Sequence, residues 1–345
     1  MILFQFYNTI IKSKHMTKKP ELLLIIILAF VPLLRLNGQT DNVFVPSGKP
    51  LVLIYTDVNS SFNPNGNSRA FEITRAYLGY EYSFSKYLSS RVNIDIGDPG
   101  VGKLQMTAYI KNAFLQYKKN GFTARFGMIA TDAYNLEEKQ WGYRYLYKSF
   151  QDAYNFGASA DLGAALEYSP ADFISFDVSV LNGEGYKRLQ SDSTFKATFG
   201  LTMKPFKGFM LRGYYDIMKH NFAQSTYSFF AGYTNKGFKA GAEYNIQKNN
   251  SMLNSHDFSG VSLYVSQSIA EKYSLFLRYD NLKSKTIADA PSPWNYTKDG
   301  QAFIAGFDYS PVKGVKLAPT YIGWSPRDKA LSYTSTIGLF LELKF

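Results

Sequence analysis

The chain has 345 residues, a formal net charge of +11 and no cysteine, which excludes disulfide staples, cysteine-ligated zinc and thiol chemistry. Hydrophobic residues make up 46% and aromatics 17%, yet mean hydropathy is only −0.20, so apolar and polar side chains must be interleaved rather than segregated.

The first element is an address. From Met16 the sequence reads MTKKPELLLIIILAFVPLLRLNGQ, with two lysines before an apolar run from Leu22 to Leu34 and small or polar residues after it. That run suits a secretory signal peptide and is too short for a membrane-crossing helix. Residues 1–15 read as an extension upstream of the true start at Met16, with cleavage expected near Gly38–Gln39. Removing residues 1–38 lowers the formal charge to +7. Much of the remaining positive charge lies in short turns (Lys118, Lys119, Lys204, Lys207, Lys236, Lys313), so solvated turns explain it and no nucleic-acid partner is implied.

From residue 39 onward the recurring period is two. GFTARFGMIA sets Phe122, Ala124, Phe126 and Met128 against Thr123, Arg125 and Gly127. ASADLGAALEY, STFKATFGLTM and GFKAGAEYNIQ repeat the pattern, and the closing TIGLFLELKF opposes Ile337, Leu339, Leu341, Leu343 and Phe345 to Gly338, Phe340, Glu342 and Lys344. Successive strand residues point to opposite faces, so these are two-faced strands. Short turns fall at 82–87, 117–122, 168–173, 204–209, 233–238, 268–273 and 309–315. Longer polar connections alternate with them at 58–68, 97–106, 131–155, 183–193, 220–225, 248–257, 283–299 and 325–330. Fifteen connectors predict sixteen strands, with both chain ends on the short-turn side.

Aromatics flank the short turns: Tyr82 and Tyr87, Tyr117 and Phe122, Tyr168 and Phe173, Tyr233 and Phe238, with Phe345 ending the chain. Rings with polar tips favour the headgroup level of a bilayer, and transmembrane barrels carry such girdles. Hydrocarbon cannot satisfy an open sheet edge, so the apolar face must meet lipid and the ladder must close. Around sixteen strands, closure leaves an aqueous lumen. The expectation is an all-β transmembrane antiparallel barrel with short periplasmic turns and long extracellular loops, occupying 39–345.

With the apolar face outward, Arg75, Arg91, Arg125, Lys196, Arg212, Lys239 and Arg278 point to the lumen, as do Asp95, Asp161, Asp177, Asp216, Glu243 and Asp280. Lys344, Glu81, Glu167, Asp308 and Glu342 share that face. The mixture of signs suggests cross-strand pairs rather than a basic ladder. The longest loop carries Glu137, Glu138, Lys139, Arg144, Lys148 and Asp152 among many aromatics. Folded inward it would be a charged constriction; folded outward it would be a surface lid.

GDPGVGKL (97–104) resembles a phosphate-binding loop, but Leu104 stands where Ser or Thr should hold magnesium, and a strand pattern follows instead of a helix. His220 and His256 lie in polar loops with no poised nucleophile, so no enzyme activity is read from them, and metal ligands do not cluster. No cofactor is called for.

RAYLGYEYSFSKYLSSRVNIDIG (75–97), NAFLQYKKNGFTARFGM (112–128) and SADLGAALEYSP with SVLNGEGYKR (159–188) resemble the phosphate-selective porin O and P family, especially its Bacteroidetes-type members. The terminal phenylalanine resembles the insertion signal of bacterial outer-membrane barrels. The resemblance implies an outer-membrane porin passing small hydrophilic, phosphate-like solutes, a third long loop folded into the barrel, and a homotrimer. The alternatives are a non-conducting barrel that binds or adheres through its loops, a barrel hydrolase using His220 and His256, and a secreted soluble β-protein.

Overall fold

Alternation of this kind yields strands that can be solvated on one side and greasy on the other, and the computed structural model, which describes residues 44–97 and 106–345, closes sixteen of them into one antiparallel barrel. The expected signal peptide and all but the first residue of GDPGVGKL lie outside the described residues.

The strands are β1 (Ser47–Phe62), β2 (Ser68–Ser83), β3 (Leu88–Gly97), β4 (Thr107–Lys119), β5 (Phe122–Ala130), β6 (Ala160–Ala171), β7 (Ile174–Leu181) and β8 (Lys196–Met203). They continue as β9 (Phe209–Lys219), β10 (Ala223–Asn235), β11 (Phe238–Lys248), β12 (Phe258–Ala270), β13 (Tyr273–Ser284), β14 (Gly300–Tyr309), β15 (Val315–Pro326) and β16 (Thr334–Lys344). Each pairs with its sequence neighbours, and β1 pairs with β16 from Leu53↔Lys344 to Phe62↔Ser335. The Phe345 N–H donates to the Val52 carbonyl at 3.0 Å, so the chain's last residue is tied into the ladder.

The two faces sort as the alternation requires. On β11 Tyr244 is exposed while its neighbours Glu243 and Asn245 are buried. On β16 Ile337 and Leu339 face out while Phe340 faces in. At the short-turn end the outer rings meet across strands: Tyr87 and Tyr117 at 6.4 Å, Tyr233 and Phe238 at 6.3 Å, Tyr273 and Tyr309 at 4.9 Å. Phe122 pairs in register with Tyr168. Tyr82 packs on Phe84 at 5.0 Å, and Phe173 and Phe345 stand exposed at the same rim.

Two expected loops are shorter than their polarity suggests. β1 and β2 run on as a ribbon to a connector of 63–67, and β10 resumes at Ala223. Polar side chains sustain these extensions, for example Ser61 Oγ with Thr336 Oγ1 at 2.7 Å and Asn63 Nδ2 donating to Thr334 Oγ1 at 2.9 Å. Beyond the hydrocarbon layer a ladder does not need an apolar face.

Two bulges reverse which face a residue takes. Tyr55 pairs with Arg75 but Thr56 with Ile73, leaving Thr74 as the extra residue; Asn93 pairs with Asn112 but Ile94 with Ile110, leaving Lys111 extra. Phe71 and Ile73 therefore face lipid while Arg75 and Tyr77, of the same parity, face inward.

Candidate functional site

The connection 131–159 folds into the barrel. It carries α1 (Asn135–Trp141) and α2 (Phe150–Ala153). α1 stops at Gly142, whose left-handed backbone (φ 75°) lets its N–H reach the Glu138 carbonyl. Glu137 and Trp141, one helical turn apart, face the wall, while Asn135, Leu136, Glu138 and Lys139 border the open side.

A bed of inward-facing apolar side chains receives the loop. Trp141 packs edge-on to Tyr143 at 5.1 Å and Tyr264 at 5.3 Å, and Tyr143 meets Phe276 at 4.5 Å. Phe230, Ala302, Ile304, Ala318 and Phe340 of the wall, Tyr145 and Leu146 of the loop, and Tyr55 and Tyr77 belong to the same cluster. Burying each such large side chain stabilises by about 1.5–3 kcal/mol, so the loop is held by packing before any polar contact is counted. The inner wall over β10–β16 is thus partly apolar, which departs from the expected polar lumen; its partner is protein, not water.

Polar contacts then fix the depth. Tyr145 donates to Asp308 at 2.6 Å, Gln140 to the Tyr233 carbonyl at 2.9 Å, Gln247 to the Phe156 carbonyl at 2.7 Å, and Arg278 to the Lys148 carbonyl at 2.8 Å. Tyr233 and Asp308 lie near the short-turn end, so the loop reaches most of the way down the lumen.

Inward charges do pair, as their mixed signs imply. Arg212 takes Asp177 across β8 (2.7 Å) because the intervening inward residue is Gly200, where a Cβ would overlap the Asp177 carboxylate and Arg212 Nη2. Arg75 lies 3.5 Å from Asp95, Lys196 3.8 Å from Asp216, and Lys316 3.1 Å from Glu342. Arg91 bonds Glu81.

All thirteen sequence-predicted lining residues face inward, but not all border open space. Arg91, Arg125, Asp177 and Arg212 line cavities on the open side of the loop, and Arg75 with Asp95 stands close by. Arg278 and Asp280 are sealed beneath the loop, and Glu243 is buried there as well. Asp161 accepts from the Leu162 and Gly183 N–H groups and so anchors the loop 182–195. Lys196 and Asp216 are buried as a pair, and Lys239 abuts Gly142.

The six loop charges divide as well. Arg144 donates to Glu138 (2.7 Å), Asp152 (2.7 Å) and the Tyr77 hydroxyl (3.0 Å), using its whole fork. Burial acts to raise Asp152, but Arg144, Lys148 and Lys111 together hold that carboxyl below its usual range. Lys148, 4.0 Å from Asp152, is pushed down by burial and by the neighbouring Arg75, Arg144 and Lys111. Lys139 lines the cavity along β4–β8. Glu137 contradicts its expected place in the opening: it is buried against the wall, neither carboxylate oxygen has a hydrogen-bond partner, and burial raises its pKa to about 7 against the pull of Arg212.

Sequence reasoning missed Lys111, Lys187, Tyr77, Tyr109 and Tyr186. Lys111 Nζ lies 4.6 Å from the Tyr77 ring centre and 5.6 Å from that of Tyr186, and Lys187 lies 5.1 Å from Tyr109. No carboxylate comes within 4.0 Å of Lys111 among the described residues. Two cavities flank the free side of the loop, about 410 Å³ along β4–β8 and about 240 Å³ along β1–β4.

No protein-family model matches the sequence, and no curated protein does. Solved structures match the architecture. The outer membrane channel DcaP of Acinetobacter baumannii gives a TM-score of 0.66 at 14% identity, covering 90% of this chain and 100% of that one. The fold is that of an outer-membrane porin. OprB of Pseudomonas putida (TM-score 0.67, 9% identity, 86% and 94% coverage) and an anion-selective porin from Comamonas acidovorans (0.65, 10%, 87% and 100%) share this porin fold. At these identities the likeness is one of fold.

Proposed function

We propose that this porin-fold protein is a passive diffusion channel of the bacterial outer membrane, delivered by its signal peptide, that passes small hydrophilic solutes and favours anions. The observation that carries the reading is the inward-folded loop within a closed sixteen-strand barrel. It narrows the lumen to a gap whose bases are Arg75, Lys111, Arg144, Lys148 and Lys187 and whose acids are Asp95, Glu138 and Asp152. Charged groups close together in a narrow, low-dielectric passage act far more strongly than in bulk water, so the excess of bases favours negative solutes. The rim aromatics would sit at the periplasmic headgroups. The motif resemblance to phosphate-selective porins agrees with an anion preference and extends it to phosphate-like solutes and a homotrimer.

Planar-bilayer recording with a salt gradient tests this. The expected result is a steady conductance with a reversal potential on the anion side, moved toward zero by Lys111→Gln. A purified, folded protein that never conducts would overturn the channel reading in favour of a barrel that binds partners through its loops.

A further inference from the structure

The smaller cavity has a chemistry that simple anion passage does not require. Leu51, Leu53, Tyr55 and Tyr77 give it an apolar and aromatic wall. Lys111, Arg144, Arg91 and Lys344 bring positive charge to the cavity, and Asn93 and Glu138 add an amide and a carboxylate. Arg144 commits one N–H of each guanidinium nitrogen to Glu138, Asp152 and Tyr77, whereas Lys111 has, among the described residues, the Tyr77 hydroxyl at 3.4 Å and two ring faces. Lys111 is therefore a lumen-facing cation open to an incoming oxyanion, with Arg91 and Lys344 on the same cavity, and the bulge at that residue is what turns it inward.

We propose that this cavity is a binding site for phosphorylated monosaccharides, a reading that rests on the channel function above. The phosphate would meet Lys111. The C–H face of the sugar ring would lie against the half-buried Leu51 and Leu53 and the edge of the buried Tyr55–Tyr77 pair, and its hydroxyls would pair with Asn93 and Glu138. An inorganic phosphate is too small to fill about 240 Å³ and leaves the apolar wall uncovered. An uncharged sugar covers the wall but leaves Lys111 without an anion. An aromatic acid suits the ring wall and the cation but gives Asn93 and Glu138 nothing to bond. Only a solute with all three features meets the cation, the apolar wall and the polar pair together.

The test is solute-induced block of single-channel current by glucose 6-phosphate, glucose, inorganic phosphate and benzoate. Glucose 6-phosphate is expected to half-block at a concentration at least tenfold below each of the others. Lys111→Gln should abolish that advantage while leaving block by glucose unchanged. Asn93→Ala should weaken glucose 6-phosphate block several-fold without altering block by phosphate. A conducting channel with equal half-blocking concentrations, or with benzoate the strongest blocker, overturns this inference and leaves the channel reading standing. A protein that never conducts overturns both.

Discussion

Replacing Glu137 with Gln should reduce the pH dependence of loop docking. In the docked loop the Glu137 carboxyl lies against the wall with both oxygens unpartnered, near Arg212, Asp177, Glu243 and Tyr264. Burial raises its pKa from 4.5 to about 7. The docked state holds its proton longer than the released one, so docking is strongest in acid and weakens as pH climbs from the released-state value through the docked one. Between pH 5 and pH 8 this amounts to about 2.5 kcal/mol, or a ~70-fold rise in the released population. Trypsin sites at Lys139, Arg144 and Lys148 report that population in detergent-solubilised protein. The wild-type cleavage rate divided by that of Glu137→Gln at the same pH cancels the protease's own pH profile, and this ratio should climb steeply from pH 5 to pH 8. An unchanged ratio would mean that Glu137 is hydrated where the loop docks, and the reasoning would fail.

Gly200→Ala should push Asp177 and Arg212 apart and cost about 1–3 kcal/mol, seen as a lower temperature for the shift from folded to unfolded gel mobility. Trp141→Ala removes the centre of the aromatic bed. It should cost about 3–5 kcal/mol of docking and speed tryptic cleavage of the loop at every pH. Tyr145→Phe leaves Asp308 without its 2.6 Å partner, so it should cost about 1–3 kcal/mol in the same assay while barrel melting stays put.

The barrel was legible because its cause is local and repeated. Lipid outside and closure by hydrogen bonding force one rule on every strand, and Phe126, Tyr244 and Leu339 obey it visibly in the sequence. The inward sense of Arg212 and Asp177 followed from the same rule, but their partnership did not, since it depends on Gly200 standing between them. The loop's charges were legible as a group and not one by one: Glu137 and Glu138 are adjacent letters, yet a helix of seven residues sends one to the wall and the other to the gap. Lys111 and Lys187 were missed for different reasons. Lys187 lies in a loop with no period to read. Lys111 had a signal, because Ala108 and Ile110 are in one phase while Ala113, Leu115 and Tyr117 are in the other. The same slip separates Phe71 and Ile73 from Ala76, Leu78 and Tyr80.

Those two slips bear on how such a tube can be retuned. Because neighbouring letters in a strand look in opposite directions, gaining or losing one codon in mid-strand swaps oily and wet positions from there to the strand's end. A lineage could thus recharge its conduit by a single small insertion, without exchanging any amino acid for another.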